Sequence, residues 1–375
     1  MIITVAKNGA IAIALLAIVL KSIAVVKPSI FFKIPNVGFI FHTILTGIDP
    51  PPYFTFDAWS VEDSKTWLRD GDLVVASGAK SGTTWMLYCA HQIRMKGSND
   101  ADDLFEDISL ATPWPELLQD PDLTWAETKN RLNTTILADG SKMKDKWDNP
   151  RFPFHVWKSH ATPESPMPIK ERPNVKFFAM SRNGLDVVSS MVPFFNQHSE
   201  YFRKAWGGFP PADSGSPEEN AVKRLEELSP GGMLEHLYFG YVKAWWPYRN
   251  EPNVFLAHYS DAIRDLPGHV AKMAKFVGIE LNKQEMSTVV ERCGMAHMKT
   301  IKHKFLYTLP LSENNSLAGT TIMKSGDDMI RKGGIGGGKV TFSEEQKAAW
   351  AKAEGEVFGH DPALLKWARE GGLYK

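Results

Sequence analysis

The chain has 375 residues, 43 Lys plus Arg against 43 Asp plus Glu, and 43% apolar residues. A formal charge of zero argues against the long-range field of a nucleic-acid-binding protein and leaves room only for a local basic pocket. Two cysteines, Cys89 and Cys293, make neither a disulfide framework nor a paired-cysteine metal motif, and read as buried thiols.

The first predicted element is the apolar run "GAIAIALLAIVLKSIAVV" over 9–26, broken by Lys21 and Ser22. It approaches the roughly 20 residues that a bilayer span needs. Lys21 lies near one end, where its ammonium can reach the interface. Lys7 precedes the run and Lys27 and Lys33 follow it, so the flanking charge sets no clear orientation. Three readings are open: a membrane anchor, a cleaved targeting segment, or a helix laid on the protein body. Residues 1–50 are therefore a hydrophobic N-terminal helix and connector, with possible membrane association through 9–26. The triple proline at 50–52 marks the boundary.

Residues 51–375 read as one domain. Apolar β-type runs occupy 72–77, 154–159, 175–181 and 254–260, and helix-like stretches occupy 83–95, 185–195, 233–249, 262–277 and 283–297. This alternation predicts an α/β, P-loop-like domain with a central, mainly parallel sheet flanked by helices. Ligands of such folds bind outside the carboxyl ends of the strands. The stretch 210–220 reads as a polar surface insertion and 331–339 as a Gly-rich loop.

Four segments carry candidate chemistry. In "ASGAKSGTTW" (76–85), Gly78 and Gly82 allow backbone N–H groups to approach an anion, and the helix start points its unpaired N–H groups at the same place. Lys80 adds a full charge, and Ser81, Thr83 and Thr84 add hydroxyls. The order is not that of a Walker A loop, whose Lys follows the second Gly. Arg182 ends a strand, and Ser190 lies eight residues later on the following helix. Arg331, Lys332 and Gly333 open the Gly-rich stretch. Lys158 and His160 stand at i and i+2 on a strand, so both project to one side.

The segment "AKSGTTW" resembles the 5′-phosphosulfate loop of the sulfotransferase family, P-K-S-G-T-T-W, with Ala79 in place of Pro. The other segments resemble that family's R-x-x-x-x-x-x-x-S, R-K-G and K-T-H elements, in the same order over about 55–345. The resemblance implies a co-substrate, 3′-phosphoadenosine 5′-phosphosulfate (PAPS), and transfer of its sulfonate to a hydroxyl or amine. It implies that Lys80, Ser81, Gly82, Thr83, Thr84 and Trp85 hold the 5′ side and purine. Arg182, Ser190, Arg331, Lys332 and Gly333 would hold the 3′-phosphate, and Tyr259 would lie near the adenine. His160 would be general base, with Lys80, Lys158 and Ser190 as its catalytic partners and no metal. Ser190 would hydrogen-bond Lys80 until the acceptor arrives.

Some positions depart from the family pattern. Cys293 and Met295 stand where Thr and Phe are usual, and Gly336, Gly337 and Gly338 precede Lys339 where Asp and Trp are usual, which predicts a softer closing loop. The family's dimer motif should begin at Lys339, and Ser343 and Glu344 replace its Thr-Val. Oligomeric state stays open. The acceptor is expected to be a small apolar phenol, alcohol or sterol, lined by Phe152, Phe154, Trp157, Phe194, Phe195 and Tyr201, about half of them core. Alternatives are a catalytically idle, membrane-tethered nucleotide-binding module and a P-loop kinase. The kinase would need a Mg²⁺ carboxylate and a Walker lysine, and neither is placed correctly. The compartment is open between membrane and cytoplasm. Asn133 and Asn314 would be glycosylation acceptors on a lumenal body.

Overall fold

The structure is a computed structural model. It describes all residues except Met1, 35–36, 48–53, 119–122, 165–166, 310–320, Lys332 and 373–375, with 2–11 and Ser29 described in backbone only. Four strands form one parallel sheet: β1 (Leu73–Ala76), β2 (Val156–Ser159), β3 (Lys176–Ser181) and β4 (Val254–His258), in the order β2-β1-β3-β4. The expected single α/β domain with a parallel sheet is thus present. Each strand is shorter by one or more residues than its apolar run, β2 and β3 at their amino ends, β4 at its carboxyl end and β1 at both. The apolar run over 254–260 ends earliest: Tyr259 begins a helix.

The strands are apolar without interruption because both faces are covered. Along β1, Leu73 and Val75 enter one core cluster, and Val74 and Ala76 enter the other. Along β3, Phe178 and Met180 alternate with Phe177 and Ala179 in the same way. In chain order, the helices used below are α1 (Ile2–Val26), α2 (Gly38–Thr46), α3 (Thr83–Arg94), α4 (Gly184–Met191), α5 (Pro217–Leu228), α6 (Phe239–Trp245), α7 (Leu266–Phe276), α8 (Lys283–Cys293), α9 (Gly337–Thr341) and α10 (Glu344–Phe358). Helices α3, α7 and α8 cover the first face; α4, α6 and α10 cover the second.

Strand register places the carboxyl ends level. Ala76 pairs with Ser159, and Ser181 pairs with His258. The chain leaves β1 toward β2, then crosses back to β3 on the other side of β1. That reversal opens a crevice at the strand ends.

Residues 9–26 are helical, within α1. Among the described residues, no helix is long and apolar enough to cross a membrane. The expected span is therefore unsupported. The described surface is nonetheless apolar: Ile13, Val26 and Ile44 are 71%, 84% and 73% exposed. Helix α2 packs back on the body, where Phe39 meets Phe209 edge-on at 5.8 Å.

Two other expectations change. The stretch 210–220 is not wholly surface: Pro210 and Pro211 line the central cavity, and the Asp213 side chain is buried against Arg224 (2.5 Å) and Lys223 (2.9 Å) of α5. The Gly-rich stretch is not all loop either, since Gly337 opens α9. The Asn133 amide donates to the Lys129 carbonyl within a helix, and Asn314 lies outside the described residues. Cys89 and Cys293 are free and buried.

Candidate active site

All four strand ends feed one cavity of about 920 Å³. His160 follows β2 after one bond, Arg182 follows β3, and Tyr259 follows β4; each lines that cavity. They share the parity of Val156, Met180 and Ala257, so all three belong to the α3 face of the sheet.

The loop from β1 to α3 is held by its backbone. The Gly78 N–H donates to the Met180 carbonyl at 2.9 Å, tying the loop to β3. Lys80 adopts φ +54°, a left-handed geometry that costs a non-glycine residue roughly 1 kcal/mol or more. Gly82 is required: its φ is +96°, and a Cβ there would come within 3.0 Å of the Tyr259 ring. Lys80, Gly82, Thr83, Thr84 and Trp85 line the cavity. Ser81 does not; its buried Oγ donates to the Ala79 carbonyl at 3.3 Å. The Trp85 indole donates to the Cys293 carbonyl at 2.7 Å and meets Tyr259 edge-on.

Arg182 joins three segments. Nη1 donates to the Lys80 carbonyl (3.2 Å), Nη2 donates to the Gly334 carbonyl (2.8 Å), and the guanidinium lies 4.5 Å from the Tyr259 ring centroid. Its buried Nε has no hydrogen-bond partner among the described residues. Arg331, Gly333 and Ser190 line the same cavity, while Lys332 lies outside the described residues.

Three cations thus face one space. Burial, followed by the charges of Arg331 and Arg182, pulls the Lys80 ammonium down to about 7, against the opposing pull of Asp328. Its Nζ is seated over the Phe194 ring, 4.1 Å from the centroid.

The closing loop is firmer than its three glycines suggest. Asp186, buried at the start of α4, accepts the Gly336 N–H (2.8 Å) and the Gly338 N–H (2.9 Å). A Cβ on Gly338 would come within 2.5 Å of Leu185, so glycine permits the close approach of α9 to α4.

Lys158 and His160 do converge. The His160 Nδ1–H donates to the Ser77 carbonyl at 2.8 Å, since a carbonyl can only accept. In the neutral ring this leaves Nε2 as the acceptor nitrogen. Burial, then the Lys158 and Lys80 charges, hold the imidazole down to about 3, opposed by the Ser77 bond. The buried Lys158 ammonium sits 3.4 Å from the Trp114 ring centroid and 3.8 Å from that of Tyr307.

Sequence reasoning missed Glu116 and Trp114. Glu116 is buried and lines the cavity beside His160. No motif spacing marks it, because it reaches the site from a connection between helices. The aromatic expectations also divide. Phe194 and Phe195 line the cavity, but Phe154 and Trp157 are core, Phe152 lies under the Arg94 guanidinium, and Tyr201 is exposed. Trp157 fails because it alternates with Lys158 and faces the opposite core. Phe39, Phe54, Phe56, Trp114, Phe202, Phe209 and Tyr307 take part instead, most of them from segments distant in sequence.

An anion cradle, a neutral imidazole and an apolar chamber define a group-transfer site on a parallel α/β sheet. The family model for the sulfotransferase domain matches residues 70–359, and the chain belongs to that family. Rabbit (Oryctolagus cuniculus) amine sulfotransferase is 20% identical over 302 residues, 80% of this chain and 85% of the relative. Rat (Rattus norvegicus) sulfotransferase 2A1 is 23% identical, covering 81% and 90%. Among solved structures, mouse sulfotransferase SULT7A1 complexed with PAP superimposes with TM-score 0.52 at 17% identity, covering 83% of this chain and 91% of that one. Retinol dehydratase, in complex with androsterone and inactive cofactor PAP, also gives 0.52, at 19% identity and coverages of 78% and 81%. These likenesses show a shared fold.

Proposed function

We propose that this sulfotransferase moves the sulfonate of PAPS to a hydroxyl or amine of a small apolar acceptor, with 51–375 as the catalytic domain. The observation that carries this reading is the convergence of Lys80, Arg182 and Arg331 on one space, where like charges and burial depress Lys80. Such an array is stabilised by a ligand with more than one anionic group. PAPS fits on two further observations: the glycine-permitted approach at Gly82 and the aromatic pair Trp85 and Tyr259. The relatives named as sulfotransferases and the neighbours complexed with PAP support the same donor.

The donor, when bound, supplies an activated sulfonate and a phosphate leaving group. In our reading Trp85 and Tyr259 hold the purine, and Arg182, Ser190, Arg331 and Gly333 meet the 3′-phosphate. Lys80, with Gly82, Thr83 and Thr84, meets the 5′ side, and Lys80 balances charge on the departing oxygen. His160 Nε2 takes the acceptor proton as the acceptor–sulfur bond forms and the sulfur–oxygen bond to the nucleotide breaks. Its depressed pKa keeps it unprotonated across neutral pH. Lys158 steadies the sulfonate oxygens. The lining of Phe54, Trp114, Phe202 and Phe209 favours an apolar acceptor over a polysaccharide. No group of three metal-binding side chains occurs among the described residues, and the reading calls for none.

Transfer of labelled sulfonate from PAPS to a panel of phenols, aliphatic alcohols, sterols and amines tests the proposal. His160→Ala is expected to lower turnover by roughly 10²–10⁴ while PAP affinity holds. Tight PAP binding with no labelled product from any acceptor would instead identify an idle nucleotide-binding module.

We further propose that α1 and α2 rest on a lipid surface rather than cross it. The exposed apolar side chains and the four lysines that precede the first acidic residue, Asp49, support this. Phe39 connects that surface to the cavity wall.

A further inference from the structure

We propose that Glu116 is a positioning residue for sulfonate transfer, aligning His160 and supplying a counter-charge that raises the proton affinity of the buried Lys158. The inference rests on the sulfonate-transfer reading above for its consequence, but not for its geometry. The Glu116 carboxylate is buried and surrounded by donors. Its Oε2 accepts the His160 backbone N–H at 2.9 Å and the Trp114 indole N–H at 3.0 Å. Its Oε1 accepts the Trp59 indole N–H at 2.6 Å, the Ala161 N–H at 3.3 Å and the Ser159 hydroxyl.

Five donors around one carboxyl favour its acceptor-only, ionised form, because a neutral acid would present a proton of its own. Burial pushes the Glu116 carboxyl up, and these hydrogen bonds oppose that shift. A buried charge is retained at such cost only where the partners repay it. An apolar side chain in this place would leave these five donors unpaired. The donors trace the reacting side of the site. His160 and Ala161 are the residues that leave β2. Trp114 stands edge-on to the His160 ring at 5.1 Å and stacks on the Lys158 ammonium. The Lys158 N–H donates to the Pro113 carbonyl, which docks this segment along β2.

Four charged or titratable groups bear on Lys158, one of them the Tyr307 phenol, which burial keeps neutral. Burial lowers the proton affinity of Lys158 most, Glu116 raises it, and Lys80 lowers it; His160 lies at i+2 and is neutral. Without Glu116, the effects of burial and of Lys80 on Lys158 would lose the charge that opposes them.

The test is Glu116→Gln and Glu116→Asp in the full chain, read by lysine-selective NMR titration of Lys158 with PAP bound and by turnover. Gln removes the charge and sets a donor against donors. The Lys158 midpoint is expected to move to lower pH, and kcat to fall by roughly tenfold or more, with PAP affinity within about twofold of wild type. Asp keeps the charge but shortens the reach. It should leave the midpoint near wild type and still lower kcat, which a merely structural role would not separate. An unmoved midpoint in Glu116→Gln overturns the inference, as does wild-type kcat in Glu116→Asp. The midpoint decides even if the wild-type chain transfers no sulfonate, an outcome that would remove the functional reading alone.

Discussion

Lys80 carries the most informative charge in the site. Its proton affinity is low in the free protein because burial and two neighbouring guanidinium groups disfavour a third cation. An anion bound beside it favours the ammonium and raises its pKa. A group whose pKa rises on binding strengthens that binding fully below its free value, and the gain is lost as pH rises through the bound value. PAP affinity should therefore decline above pH of about 7, by at most about tenfold per pH unit, with proton uptake measurable by calorimetry in buffers of differing ionisation enthalpy. Lys80→Met should flatten both. Binding that takes up no proton near pH 8 would remove Lys80 from the anion site. The lysine was legible in the sequence because glycines and hydroxyls flank it. Glu116 was not, because its importance lies in donors at 59, 114, 159, 160 and 161 that only folding gathers.

Among the elements, α9 shows how a local pattern misleads. Five glycines in 331–338 suggest slack backbone, and three of them, Gly336, Gly337 and Gly338, stand at the start of α9. Asp186, about 150 residues earlier, satisfies the Gly336 and Gly338 N–H groups and converts the slack into a clasp. Asp186→Ala leaves two backbone donors unpaired, at roughly 1–3 kcal/mol. Amide exchange at 336–338 should accelerate, and PAP should bind more weakly as Arg331 and Gly334 lose their anchor. Unchanged exchange at those amides would show that α9 is held by other contacts. By contrast, α3 was readable from Gly82 and the apolar run before it, since strand, turn and helix start are adjacent in the chain.

At the scale of the whole molecule, one chamber joins the anion cradle to an apolar surface. The aromatic wall draws on Phe39 of α2, Phe54, Trp114 and Phe209, so the N-terminal segment is part of the acceptor side as well as of the outer surface. If α1 and α2 rest on lipid, the protein should sediment with vesicles containing anionic phosphatidylserine. Replacing Ile13, Leu16, Val26 and Ile44 by Ser should abolish this without moving PAP affinity. Equal sedimentation of the quadruple variant would sink the lipid reading. The variant leaves the cradle intact, so the two functions separate cleanly.

The order of strands and helices, the glycine-bearing turn at 78–82 and the placing of Lys158 and His160 on one side of a strand were all determined by the chain itself. Each depends on residues a few positions apart, where apolar period, glycine and strand alternation act locally. The acceptor wall, the Asp186 clasp and the Glu116 hub were decided only by the tertiary structure. They are built from groups 40 to 150 or more residues apart, and their chemistry exists only after burial removes water and leaves each donor and charge dependent on the partner that the fold supplies.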